Sequence, residues 1–167
     1  MAEGLVVLGL DPGTRVTGYG VVRELSGKAE LVATGTIRTP VKKDMATRMG
    51  VIFNQLQELI RLHGPAEAAI ENVFVSKNPS SALKLGQARG ACMAACAVND
   101  IPMGEYEPSK VKKNLVGVGN APKSQVAYMV AHCLGIKKPD WPEDASDALA
   151  IAICHLNERR MRRLTCG

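Results

Sequence analysis

Six consecutive residues without a polar side chain, Leu5 to Leu10, run straight into Asp11-Pro12-Gly13. A strand with one face in water alternates polar and apolar positions, so a uniformly apolar run must be covered on both faces, and proline and glycine stop it abruptly. The chain is therefore expected to open with a strand covered on both faces and stopped by turn residues.

Thr17 to Arg23 and Glu30 to Arg38 carry β-branched and apolar residues on either side of the turn signal Ser26-Gly27, which predicts a three-strand antiparallel meander. From Asp44 the apolar residues change to helical spacing, Met45, Met49, Ile52, Leu56, Leu59 and Ile60, as far as Gly64-Pro65. A short apolar run, Ala66 to Ile70, then ends at Glu71, and Ser80 to Val98 reads as a long helix rich in Ala, Gly, Leu and Cys. Ile101 to Glu105 supplies a fifth strand, and Ser109 to Leu115, Lys123 to Leu134 and Ala145 to Glu158 supply helices. This order predicts an α/β fold, a five-stranded mixed sheet with helices on its faces. With 167 residues the expectation is one domain over residues 1–158 and a basic tail over 159–167, too short a chain for two full lobes.

Hydrophobic residues make up 46% and charged residues 22%, which excludes a disordered or fibrous chain. Lys and Arg number 21 against 16 acids, and the net charge of +5 leans modestly towards a polyanionic partner. The five cysteines are scattered; Cys92 and Cys96, one helical turn apart, read as small buried hydrophobes. No run approaches the roughly 18 apolar residues of a membrane span, and the N-terminus lacks a secretory pattern, so a cytoplasmic protein without a membrane partner is expected.

The chemistry concentrates in acids. Asp11 closes the first strand, Glu71 closes the fourth, and Asp144 and Asp147 open the last helix three residues apart, hence on one face. Ligands of open α/β sheets collect at the carboxyl ends of strands. Each acid also has a local role open to it: Asp11 as a turn residue, Asp144 as a helix cap, Glu71 as an exposed strand end. Together, four converging carboxylates repel one another unless cations occupy the cluster, and an all-oxygen donor set suits Mg²⁺ or Mn²⁺ better than Zn²⁺.

The stretches Leu8 to Gly20 (LGLDPGTRVTGYG), Ile70 to Phe74 (IENVF), Ser81 to Gly90 (SALKLGQARG) and Asp144 to His155 (DASDALAIAICH) closely resemble the bacterial RuvC family of Holliday-junction resolvases. The likeness spans about Leu5 to His155. It implies a ribonuclease-H-like fold, a homodimer, and an endodeoxyribonuclease that resolves four-way DNA junctions by paired symmetric incisions in recombination and repair. Asp11, Glu71, Asp144 and Asp147 match the family's metal-binding and catalytic positions; some relatives carry histidine at the position of Asp144. The implied mechanism uses two Mg²⁺ ions about 4 Å apart and leaves a 5′-phosphate and a 3′-hydroxyl.

Basic residues also cluster. Lys110, Lys112 and Lys113 precede Gly117-Val118-Gly119, Lys123 follows it, and Lys77, Lys84 and Arg89 flank the long helix, forming either a phosphate-tracking surface or solvated helix faces. The resemblance assigns Lys112 and Lys123 to the scissile phosphate, makes Lys123 catalytic, and gives Phe74 contact with unstacked bases. It further implies dimerisation through the Ser80 to Val98 region and engagement with the RuvA and RuvB branch-migration complex. The arginines of the tail either contact DNA phosphates or continue the last helix as a solvated end. Two other functions remain at this point: a nuclease of the same fold that processes RNA, and a non-catalytic junction-binding protein.

Overall fold

In the computed structural model, residues 4–72 and 78–166 are described. Among them, strands β1 (Leu5–Asp11), β2 (Val16–Leu25), β3 (Lys28–Arg38), β4 (Glu67–Glu71) and β5 (Met103–Tyr106) form one sheet in the order β3-β2-β1-β4-β5. Helices α1 (Met45–His63), α2 (Pro79–Ala97), α3 (Pro108–Val116), α4 (Lys123–Cys133) and α5 (Glu143–Thr165) complete the chain. The doubly covered strand is the central one: β2 lies antiparallel on one side of β1 and β4 parallel on the other. The β2–β3 hairpin turns on Ser26 and Gly27, both at positive φ (52° and 78°), as a two-residue turn between twisted strands requires.

Strand alternation sorts β1 between two cores. Leu8 and Leu10 join Ile52, Leu56, Ala88 and Cys92 under α1 and α2. Val7 joins Leu149, Ile153, Val126 and Leu115 under α3, α4 and α5. Because residues two apart share a face, Gly9 and Asp11 lie with Val7 on the face towards α5. The same parity places Glu67, Ala69 and Glu71 of β4 on that side, while Ala68 and Ile70 pack on the other.

What brings α5 onto the sheet is an absence of side chains. A Cβ at Gly9 would lie 2.2 Å from the Ala148 carbonyl oxygen, one at Gly18 only 1.9 Å from that of Asp144, and one at Gly20 2.7 Å from Leu149 Cδ2. These three glycines line the α5 face of β1 and β2, where Gly9 pairs with Gly20 and Asp11 with Gly18. The helix backbone therefore rests on bare strand.

Midway along its length α5 is held by a buried polar chain. His155, 7% exposed, stands with Nε2 2.7 Å from the Glu67 carboxylate and Nδ1 2.8 Å from the Tyr106 hydroxyl. A carboxylate only accepts, so Nε2 donates to it, while the Tyr106 hydroxyl is the partner of Nδ1. The helix continues through residues 159–163 to Thr165, and Arg159 and Arg160 pair with Glu67 (3.3 Å) and Glu24 (2.7 Å). The tail arginines thus belong to the helix rather than to a separate segment.

The sequence-predicted elements reappear with small shifts, except that α5 runs seven residues past Glu158, to Thr165. The fifth strand begins at Met103 instead of Ile101, since Ile101 N–H donates to Cys96 O at the close of α2 and Pro102 has no N–H to give a ladder. Cys92 and Cys96 are buried in the α1–α2 core, as their apolar context predicts, and burial pushes the Cys92 thiol up to about 12.

The glycine contact makes a prediction with opposite signs at two glycines. Gly18→Ala should lower the urea-unfolding free energy by about 3 kcal/mol, because backbone must move to admit the methyl group. Gly50→Ala, in α1 with nothing within 4 Å of its would-be Cβ, should raise it by about 0.5–1 kcal/mol through helix propensity.

Candidate active site

Asp11 and Glu71 end adjacent parallel strands: the register pairs Leu10 with Ile70, so the next residues on each strand are the two acids, side by side and on the α5 face. Asp11 also pairs across to Gly18, over which the Asp144 carbonyl rests. The glycine contact that seats the helix therefore sets Asp144 beside Asp11, and Asp147 follows one turn along α5. The four carboxylates, with Lys112 of α3 and Lys123 of α4, line one cavity of about 280 Å³ whose apolar wall includes Val111, Val126 and Ile151.

The backbone behind the two strand-end acids, Asp11 and Glu71, is clamped. Thr17, fully buried, donates its hydroxyl to Gly13 O (2.9 Å) and accepts from Gly13 N–H (3.2 Å), closing the turn after Asp11. Thr39 and the Arg48 guanidinium both donate to Thr14 O, each at 2.5 Å. Behind Glu71, Arg89 of α2 donates to the Glu71 carbonyl (3.2 Å) and to Asn72 Oδ1 (3.3 Å), and forms an ion pair with Glu105. Arg89 is 15% exposed: its charge is directed inward at the strand ends. Lys84 is exposed on α2, and Lys112 is half-buried at the cavity. Phe74 lies outside the described residues, as does Lys77.

A fifth acid joins the site that the sequence reading did not single out. Glu143, four residues before Asp147 and so on the same helical face, accepts from Lys123 at 2.6 Å, and Asp147 accepts from the same ammonium at 3.3 Å. The Glu143-Asp144 doublet at a helix start was the available signal, since acids in a first turn favour the helix dipole. Lys123 thereby bridges α4 to α5 and carries the cation into the carboxylate cluster.

Electrostatics follow from this packing. Burial, then the neighbouring Glu71, Asp147 and Asp144, push the Asp11 carboxyl up to about 8, with Lys123 opposing. Glu71 is raised by burial and by Asp147, against Lys123 and Lys112; Asp147 is raised chiefly by burial and lowered by Lys123. The hydrogen bond it donates to Glu143 holds the Lys123 ammonium above the usual lysine range. A cavity ringed by hard oxygen donors, three of them held towards their protonated form, fits a hard divalent cation, whose charge would oppose the shifts at Asp11, Glu71 and Asp147. The carboxylates surround the space without closing it: among the described residues, no three acids, histidines or cysteines form a ready coordination cage.

Comparison with known proteins places this arrangement. The family model for crossover junction endodeoxyribonuclease RuvC matches residues 7–155. The chain is 58% identical to the crossover junction endodeoxyribonuclease RuvC of Solidesulfovibrio magneticus, over 97% of this chain and 95% of that protein. Among solved structures it is similar to Thermus thermophilus RuvC, at 35% identity and a TM-score of 0.86, over 94% of this chain and 96% of that one. It is likewise similar to T. thermophilus RuvC in complex with a Holliday junction substrate, at 35% identity and a TM-score of 0.88 with the same coverage.

The raised Asp11 carboxyl has a measurable consequence. Unfolded, the group ionises at its ordinary 3.8; folded, it keeps its proton to about 8, so its contribution favours the fold below pH 4 and is lost as the pH climbs through 8. In chelator, Asp11→Asn should therefore melt higher than the wild type at pH 8, by about 5 °C, with the gap narrowing towards pH 4. Added Mg²⁺ should raise the wild-type melting temperature and leave the variant's nearly unmoved. Scanning calorimetry across pH, with and without Mg²⁺, checks both halves.

Proposed function

This chain belongs to the RuvC family of crossover junction endodeoxyribonucleases, and from that premise we propose that the carboxylate cavity is where it hydrolyses four-way junction DNA. The observation that carries the assignment is the meeting of Asp11, Glu71, Asp144 and Asp147 at one cavity beside Lys123 and Lys112. The protein is an endonuclease of the recombination and repair type, with an α/β, ribonuclease-H-like fold.

In this reading the four carboxylates hold two Mg²⁺ ions, with Mn²⁺ able to substitute. Bound there, divalent cations supply a water of lowered pKa and charge stabilisation at the leaving oxygen. Water forms a bond to phosphorus, the bond from phosphorus to the 3′ oxygen breaks, and the proton ends on that oxygen, giving a 5′-phosphate and a 3′-hydroxyl. Lys123, already oriented by Glu143 and Asp147, offsets the negative charge that grows on the phosphate. Lys112 and the exposed Lys84 contact DNA backbone, and Phe74 contacts bases at the crossover. Arg89 acts from within, bracing the strand end that carries Glu71.

Paired cuts in opposed strands call for two sites, and a second copy supplies the other. The exposed face of α2 supports that reading: Leu83 is 68% exposed, while Gly86 and Gly90, three and seven residues further on, present open backbone. The remaining partners in this reading are the RuvA and RuvB branch-migration complex. No helix among the described residues is long and apolar enough to cross a membrane, and the proposed setting is the cytoplasm.

The test is cleavage of a labelled mobile four-way junction beside a linear duplex of the same sequence. Symmetric nicks should appear only in the junction and only with Mg²⁺, and Asp11→Asn should abolish them. Lys123→Met should lower turnover about 100-fold at saturating junction with little change in affinity. Junction binding without cutting under any condition would reduce the protein to a binding module.

A further inference from the structure

The active-site cavity has neighbours along α4. A second cavity of about 360 Å³ adjoins it, sharing Lys123 and Asp147 and walled by Pro139 and Trp141. A third of about 640 Å³ adjoins the second, sharing Ser124, Ala127 and Pro139 and reaching Tyr128, His132 and Lys137. We read the three, which succeed one another along α4 away from the carboxylates, as one groove.

The character of the groove changes along its length. Carboxylates line the first two cavities and none lines the third, whose titratable side chains are Tyr128, His132 and Lys137. Lys137 and its neighbour Lys138 are both exposed. Tyr128 is 69% exposed in a chain with only three tyrosines, two phenylalanines and one tryptophan. Its ring stacks on His132, one turn later, with centroids 6.2 Å apart and planes 13° from parallel. The stack leaves an open aromatic face beside the cations.

Adjacency to the scissile-phosphate site and the gain of positive charge along the groove identify the occupant as nucleic acid. We propose that this groove is a second DNA contact, in which Tyr128, His132 and Lys137, with the exposed Lys138 next in the chain, hold the sugar-phosphate backbone of the junction arm that carries the cleaved strand. The proposal rests on the function proposed above. Nine residues of α4 separate Lys123 from His132, about 14 Å at 1.5 Å per residue. At about 3.4 Å per nucleotide along one strand, the contact falls about four nucleotides from the cut. Lysines there take phosphates, and the tyrosine ring packs against deoxyribose, contacts that set position and register without reading sequence.

Junction affinity as a function of salt tests it in chelator, where binding is read without cutting. Lys137→Ala/Lys138→Ala should weaken binding several-fold and reduce the slope of log K against log salt by about 1–2. The charge-matched control Lys28→Ala/Arg61→Ala, with both residues exposed and outside the groove, should change affinity less than about two-fold. Tyr128→Ala should weaken binding without altering the slope, because it removes no charge. Neutral methylphosphonate linkages about three to five nucleotides from the cut should weaken the wild type and have no further effect on the double-lysine variant. Equal behaviour of the groove and control variants, or full additivity of variant and neutral linkages, overturns the proposal and leaves the face to a protein partner. If the wild type cuts junctions normally while these variants bind unchanged, this inference alone fails. If the wild type does not bind junctions at all, the proposed function fails with it.

Discussion

The backbone-to-backbone contact of α5 with β1 and β2 is the constraint on which the site depends. Two strands that lack side chains at Gly9, Gly18 and Gly20 admit the helix to within contact of its own carbonyls, closer than any side chain would allow. Helix and sheet are thereby held to a single separation and a single rotation. Asp144 sits over Gly18, and Gly18 is the ladder partner of Asp11, so the spacing of these carboxylates follows from a packing contact. Long flexible side chains could not hold acids from two elements at a fixed separation, whereas close-packed backbone can.

The helix is secured at two places by different means. Near the carboxylates the contact is steric. Further along, the polar chain of Glu67, His155 and Tyr106 ties α5 to the start of β4 and the end of β5. Glu67 and Glu71 are four apart on one strand face, and Asp147 and His155 lie eight apart, close to the same face of one helix. The distal hydrogen bonds therefore set the axial position of the same two elements that carry the acids. A buried polar chain is tolerated here because every member has a partner.

The site itself works against stability. Asp11, Glu71 and Asp147 are all shifted towards holding protons, first by burial and then by one another. The surrounding clamps, Thr17 and Arg48 behind Asp11 and Arg89 behind Glu71, keep the strand ends in place against that repulsion. Lys123 offsets part of the negative charge while leaving the cavity open. Such a cluster has value only if it is relieved by cations and substrate, which is the physical signature of a binding site and not of a fold-stabilising network.

Most of the architecture was legible along the chain. Apolar periodicity, the Ser26-Gly27 turn and the Gly64-Pro65 stop are local signals, and they placed the elements to within a few residues, apart from the far end of α5, which runs on to Thr165; the acids stood out because each ended or began one of those elements. Local signals failed where partners are distant in sequence. Ile101 looks like strand but closes α2, Glu143 looks like a helix-start acid but holds Lys123, and Arg89 looks like a surface cation but pairs with Glu105 and the Glu71 carbonyl. The amino-acid sequence by itself determined the α/β fold, the doubly covered first strand and the four carboxylates, because those depend on patterns within a few residues. Only the tertiary structure decided that Gly9, Gly18 and Gly20 form one bare track, that α5 lies on it, and that further cavities adjoin the carboxylate site along α4, because these arise from contacts between segments that become neighbours only when the sheet is assembled.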